Sequence, residues 1–118
     1  MKLIDHTRES LVGYLTAQCA AIVPDGREAA FRAAVDAHLD EALERMHVCI
    51  NACAPWRPDQ FNVLQSSQHC ILLYFLSNTI YTRSGDTAAA TRLFLMNKAL
   101  NGIDLFYEIA MPPVFYIG

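Results

Sequence analysis

At 118 residues, 53% of them hydrophobic, the chain has the size of one domain and enough apolar material to fill a core, which excludes a disordered segment. A formal net charge of -3, with no cluster of Lys or Arg, excludes the electrostatic footprint of a nucleic-acid or anionic-membrane binder, and neither partner is expected. Met1 to Ser10 brings charge before any apolar run of signal-peptide length, so a cytoplasmic protein is expected.

In chain order, Asp5 and Thr7 are the first candidate helix caps. Thr7 is followed three residues later by Ser10 rather than Glu or Gln, so no capping box is expected. Leu11, Tyr14, Leu15, Cys19 and Ile22 recur at helical spacing, with Gln18 the one polar interruption, and predict an amphipathic helix within residues 4 to 22. Gly13 inside it costs about 1 kcal/mol relative to Ala, which points to a close neighbour or a weak point. Val23-Pro24-Asp25-Gly26 is a turn sequence. A second helix is predicted from about Arg27 to Cys53, with Phe31, Val35, Leu39, Leu43, Met46, Ile50 and Cys53 on one stripe. The opposite face carries Arg32, Asp36, Asp40, Glu41, Glu44 and Arg45 and reads as its solvated side. A helix of this length in so small a domain is a natural contact element between subunits.

Pro55 and Pro58 each hold the preceding residue in extended conformation and predict a fixed loop. The stretch from Phe61 to Tyr81 then organises the rest. Cys70 to Leu76 has no strongly polar residue to turn towards water and must be enclosed on every side. Gln65 to Gln68 before it and Ser77 to Thr79 after it read as polar ends of a run far too short to cross a bilayer. Leu64 and Ile80 extend the apolar pattern beyond strand length, which favours a central helix. Thr82 to Asp86 predicts a turn, and Asp86 or Thr87 caps a fourth helix closed by Gly102 after Asn101. The fold class predicted is all-α, one domain of four main helices over residues 1 to 118, with no sheet. Ile103 to Gly118 is apolar and aromatic, and a tail of this kind implies that the chain normally continues into something that covers it.

Cys19, Cys49, Cys53 and Cys70 all fall in apolar helical patterns and read as buried free thiols. Cys49 and Cys53, one turn apart with His47 close by, look like half of a metal site. A structural zinc site needs four ligands and no second block follows, so no metal is expected. Asp59 and His69 are the only carboxylate and imidazole near the first turns of the core helix. The plain reading gives Asp59 to a helix N-terminus through the dipole and His69 to a hydrogen-bonded core position. Both are kept as candidate substrate-binding residues, and no catalytic residue is assigned.

Phe61-Asn62, the block Tyr74 to Tyr81, the block Asn97 to Asp104 and the closing Met111 to Gly118 resemble the N-terminal helical domain of the serine O-acetyltransferase family in a bacterial-type variant. The resemblance covers roughly the second half of the chain, and the first two helices match only in kind. It implies that the helices precede a left-handed β-helix of hexapeptide repeats, whose first coil would begin near Ile117-Gly118. No six-residue period is present in these 118 residues. For a longer parent chain it implies acetyl transfer from acetyl-CoA to the serine hydroxyl, with a histidine general base on coils this chain does not contain. The chain alone is then expected to bind no cofactor and to lack acetyltransferase activity. In the family an acidic residue of the loop region, usually in an Asp-Pro pair, reaches the serine site. Here the order is Pro58-Asp59, so the motif is not matched, and His69 matches no family role. The resemblance also implies self-association through the helical domain. Composition points the same way, because a four-helix domain of this size has room to enclose only one central helix fully, which leaves the apolar faces of the first two helices and the tail to be covered. An interaction domain without enzymatic activity is the alternative.

Overall fold

Four helices carry the chain: α1 (Arg8–Ile22), α2 (Glu28–Ala52), α3 (Ser66–Ser84) and α4 (Thr87–Asn101). The computed structural model describes all residues from 1 to 118. The fold is all-α, as the helical spacing predicts. No helix is long and apolar enough to cross a membrane.

Thr7 caps α1 by accepting from the Ser10 backbone N–H, and the Ser10 hydroxyl accepts from the Thr7 N–H at 2.9 Å. The reciprocal box that the sequence argued against is therefore present. A serine reaches back as far as the longer Glu or Gln would, with His6 Nδ1 against its hydroxyl at 2.9 Å. Gly13 faces Arg32, whose guanidinium would lie 3.8 Å from an added Cβ, an ordinary contact rather than a forced close approach. At the other end of the chain α4 is capped by Asp86, which accepts from the Ala89 N–H at 3.0 Å, and is closed by Gly102 at φ 66.

The predicted absence of any sheet needs one correction. Residues Lys2–Leu3 (β1) and Gln60–Phe61 (β2) form a two-residue parallel pair, with Lys2 opposite Gln60 and Leu3 opposite Phe61. The Lys2 and Ile4 N–H groups, free at the chain's start, find Asp59 O and Phe61 O, each at 2.8 Å. Two residues per strand are too few to leave a period-2 signal in a sequence.

Helix α3 is the centre. Every residue from Gln68 to Ile80 is buried, with α2 and α4 packed along it most extensively and α1 lying across α2 and α4. Ser77, Asn78 and Thr79, read as a polar end, are inside. The helix continues to Ser84, and their polar atoms are satisfied: Ser77 donates to Tyr74 O of the same helix at 3.0 Å, and Asn78 and Thr79 each accept from Arg45 of α2 at 2.9 Å. Satisfied in this way, they cost little to enclose.

The faces expected to be left over are turned inward. Leu11, Val12, Leu15 and Cys19 of α1, and Phe31, Val35, Leu39, Ala42, Met46, Cys49 and Ile50 of α2, belong to one core cluster with α3. The charged side of α2 ties helices together. Arg8 holds Asp36 and Asp40 at 2.7 Å, Arg32 holds Glu9 at 3.0 Å, and Arg83 holds Glu41 at 3.0 Å. These pairs are exposed and contribute orientation more than stability.

The tail also departs from its expected state. Asn78 Nδ2 donates to Tyr107 O at 2.7 Å, and the Tyr74 hydroxyl donates to Ile109 O while accepting from the Met111 N–H at 3.0 Å. The Phe115 ring then stands edge-on to Tyr74 and Phe75, at centroid distances of 5.7 and 5.5 Å. Tyr107 is buried, and Met111, Phe115 and Ile117 pack against the core, leaving Ile109, Val114 and Tyr116 exposed.

Candidate functional site

Asp59 immediately precedes β2 with φ 61, a left-handed conformation that costs a residue with a Cβ. The clamp that holds it there is local. Its N–H donates to Asn51 Oδ1 at 2.8 Å, and its Oδ1 accepts from Asn51 Nδ2 at 2.9 Å and from His47 Nε2 at 2.6 Å. His47 and Asn51 are one turn apart on α2, so both face the loop that Pro55 and Pro58 stiffen. The His47 hydrogen bond, followed by that of Asn51, holds the Asp59 carboxyl below the usual carboxylate range. Asp59 is thus a solvent-facing carboxylate in a fixed position, and it caps no helix.

His69 is enclosed between α1, α3 and α4 and is 4% exposed. Its Nε2 meets Gln18 Oε1 at 3.0 Å and its Nδ1 meets Asn101 Nδ2 at 2.8 Å. A carboxamide oxygen only accepts and a carboxamide nitrogen only donates, so Nε2 carries the proton and the ring is neutral. Burial pushes its pKa below the ordinary histidine value. The chain of amides continues: Asn101 Nδ2 donates to Asn97 Oδ1 at 2.9 Å, and Asn97 Nδ2 to Cys70 O at 3.0 Å. Gln18, the interruption in the α1 stripe, is there to meet His69.

The two sequence-predicted residues share no partner. Asp59 belongs to the His47–Asn51 clamp and His69 to the Gln18–Asn101 bridge. Beside the Asp59 loop is an open cleft of about 420 Å³ whose lining includes Pro55, Trp56, Arg57, Gln60, Asn62 and Gln68. It has no carboxylate or imidazole in its walls, so its chemistry is hydrogen bonding rather than proton transfer.

Cys49 Sγ donates to Phe115 O at 3.1 Å, and Cys53 Sγ lies 3.9 Å from the same oxygen. His47, turned to Asp59, does not converge with them, and no three His, Cys, Asp or Glu side chains gather anywhere in the chain. All four cysteines are free and buried, and burial pushes the Cys19, Cys49 and Cys70 thiols up, away from the reactive thiolate.

Sequence reasoning missed Arg45. It lies on the charged face of α2, yet it is half-buried, with its guanidinium 4.6 Å over the Phe75 ring. Nη1 donates to Asn78 Oδ1 and Thr79 Oγ1, both at 2.9 Å, and lies 3.4 Å from Phe75 O. The polar triplet Ser77 to Thr79, following the apolar run Cys70 to Leu76, was the available signal, because buried acceptors need a donor.

No protein-family model matches the chain, and neither a curated protein nor a solved structure matches it.

Proposed function

We propose that the chain is the helical assembly domain of a serine O-acetyltransferase-like enzyme, whose parent transfers acetyl from acetyl-CoA to the serine hydroxyl. One observation carries the reading. Two of the stretches that bear the resemblance, Tyr74 to Tyr81 and Met111 to Gly118, fold onto each other: the Tyr74 hydroxyl accepts from the Met111 N–H, and Phe115 closes on Tyr74 and Phe75. They make one connected unit, which leads the backbone to Ile117 and Gly118 along a fixed course.

On this reading the chemistry belongs to coils beyond Gly118. Acetyl transfer needs an imidazole free to take the hydroxyl proton. His69 has both ring nitrogens occupied in a buried bridge, and His47 is engaged by Asp59. Asp59, exposed and ionised, is the residue the reading offers to the serine site.

A second reading, an all-α interaction domain without enzymatic activity, is favoured by the docking of Met111, Phe115 and Ile117 on the chain's own core. The reading frame after Gly118 discriminates the two. Hexapeptide repeats there, with thiol release from acetyl-CoA that depends on serine in the longer chain, support the first. A stop codon there, or a repeat-bearing chain inert towards serine, refutes it. Self-association through helix surfaces is part of the first reading, and sedimentation equilibrium tests it: a monomer mass at high concentration counts against an assembly role.

A further inference from the structure

The C-terminal half of α2, the middle of α3 and the tail enclose a half-open groove of about 250 Å³, lined by Arg45, Val48, Phe75, Met111 and Pro113. Four of the five walls are apolar and the fifth is a cation. We propose that this groove binds a carboxylate borne on a compact apolar body, with Arg45 receiving the carboxylate and Val48, Phe75, Met111 and Pro113 the body.

The argument starts from what Arg45 lacks. The other arginines of α2 and α3 each hold a carboxylate, Arg32 that of Glu9 and Arg83 that of Glu41, and Arg8 of α1 holds two, Asp36 and Asp40. Arg45 has none. Of its neighbours on α2, Glu41 is taken by Arg83, and Glu44 lines a different cleft with Arg8 and His47. Nη1 is consumed inside the protein by Asn78, Thr79 and Phe75 O, whereas Nε and Nη2 donate to no acceptor of the chain. Neither is sealed from solvent, since the one buried unpartnered side-chain nitrogen in the protein is Arg92 Nε. A guanidinium presents Nε–H and one Nη2–H in parallel, the spacing that a carboxylate accepts bidentately.

The donor pair is also held still. Two hydrogen bonds and the Phe75 ring fix the plane of the guanidinium before any ligand arrives, so ordering it costs little on binding. The opposite wall is fixed by the Tyr74 hydroxyl, which accepts the Met111 N–H. The volume sets the ligand's size. It falls below the range of about 300–1,000 Å³ typical of drug-sized ligands, so it suits a group the size of one side chain. A free branched-chain or aromatic acid and the C-terminal residue of a polypeptide share this chemistry.

Amide proton–nitrogen NMR of the whole chain, titrated to about 10 mM, reads millimolar affinities. The probes are phenylacetate, 3-methylbutanoate, and the tripeptide Ala-Ala-Leu as free acid and as C-terminal amide. Saturable shifts centred on α2 and the tail with the free acids identify a small-molecule site, and shifts with the tripeptide acid alone identify a chain terminus. Either result supports the proposal. Arg45→Gln should abolish the shifts but also removes the ties to Asn78 and Thr79. Val48→Glu avoids that difficulty, because Val48 is 56% exposed and the change places a like charge beside the ligand. It should weaken binding about tenfold or more, and Val48→Lys should strengthen it. No shift with any acid, equal shifts with the tripeptide amide, or binding indifferent to Val48→Glu would each overturn the proposal.

Discussion

Lowering the pH should destabilise this protein through His69 well before its carboxylates titrate. In the folded chain burial holds the His69 pKa below the value of 6.5 that it regains on unfolding. The unfolded state then binds more protons than the folded state over the interval between those two values. Stability from this group is complete above the unfolded value and is lost as pH falls through that interval, with a slope approaching about 1.4 kcal/mol per pH unit. Protonating Nδ1 in place would set two N–H donors against each other at 2.8 Å, which resists charging further. Between about pH 7.5 and 5.5 the unfolded value alone bounds the loss at about 1.4 kcal/mol. For a domain whose urea m-value is about 1–3 kcal/mol/M, the midpoint should fall with pH over this interval by no more than that bound divided by the m-value. The depressed carboxyls of Asp25 and Asp59 act only at lower pH, through the same linkage. His69→Gln is the control, because its amide can donate to Gln18 and accept from Asn101 without titrating. If the wild-type midpoint varies with pH no more than that of His69→Gln, the reasoning is refuted.

Tyr74→Phe removes a hydroxyl that serves both Ile109 O and the Met111 N–H, and should cost about 1–3 kcal/mol in urea unfolding, with faster proteolytic nicking after Gly102. Thr7→Ala opens the α1 capping box and should cost about 1 kcal/mol by the same assay. At the left-handed position of Asp59, calorimetry should find Asp59→Gly melting above Asp59→Ala, since both lose the clamp and only alanine keeps the strain. Far-UV circular dichroism of the isolated chain should be helix-dominated, with its amplitude little changed in all four variants.

The helices were legible because their apolar residues keep one period over many turns. Phe31, Val35, Leu39, Met46 and Ile50 step along α2 as the spacing requires, and the glycine stop at Gly102 falls where a left-handed residue is needed. What sequence spacing could not supply was pairing across elements. Gln18 and His69 each interrupt an apolar pattern, and only their meeting at 3.0 Å shows that each is the other's reason. Arg45 was assigned to water because a helical wheel places it among Asp40, Glu41 and Glu44, whereas its reach carries the charge back over Phe75. The docking of the tail was hidden for a similar reason. Hydropathy counts its aromatic rings as surface to be covered, but the turn at Gly102 sends them back over α3, where Tyr74 and Asn78 anchor the backbone. Asp59 was legible as a carboxylate in a stiff loop, and its partners His47 and Asn51 were hidden in the polar positions of α2.

The position of Phe115 O over Cys49 and Cys53 makes the attachment of the tail something that can be timed. Cys49 is 0% and Cys53 is 9% exposed while that segment stays down, so a thiol reagent labels them only when it lifts. Cys19, buried in the core on α1, serves as an internal clock for opening of the rest of the molecule, whereas Cys70 lines a small pocket with Ile117 and Gly118 at the end of the tail. Labelling that runs ahead at Cys49 and Cys53 would measure detachment of the tail alone, and labelling of all four in step would mean that the tail leaves only when the whole domain unfolds. Four cysteines that form no bond with one another thereby divide the protein into the parts whose independence matters most for how its C-terminal end is presented.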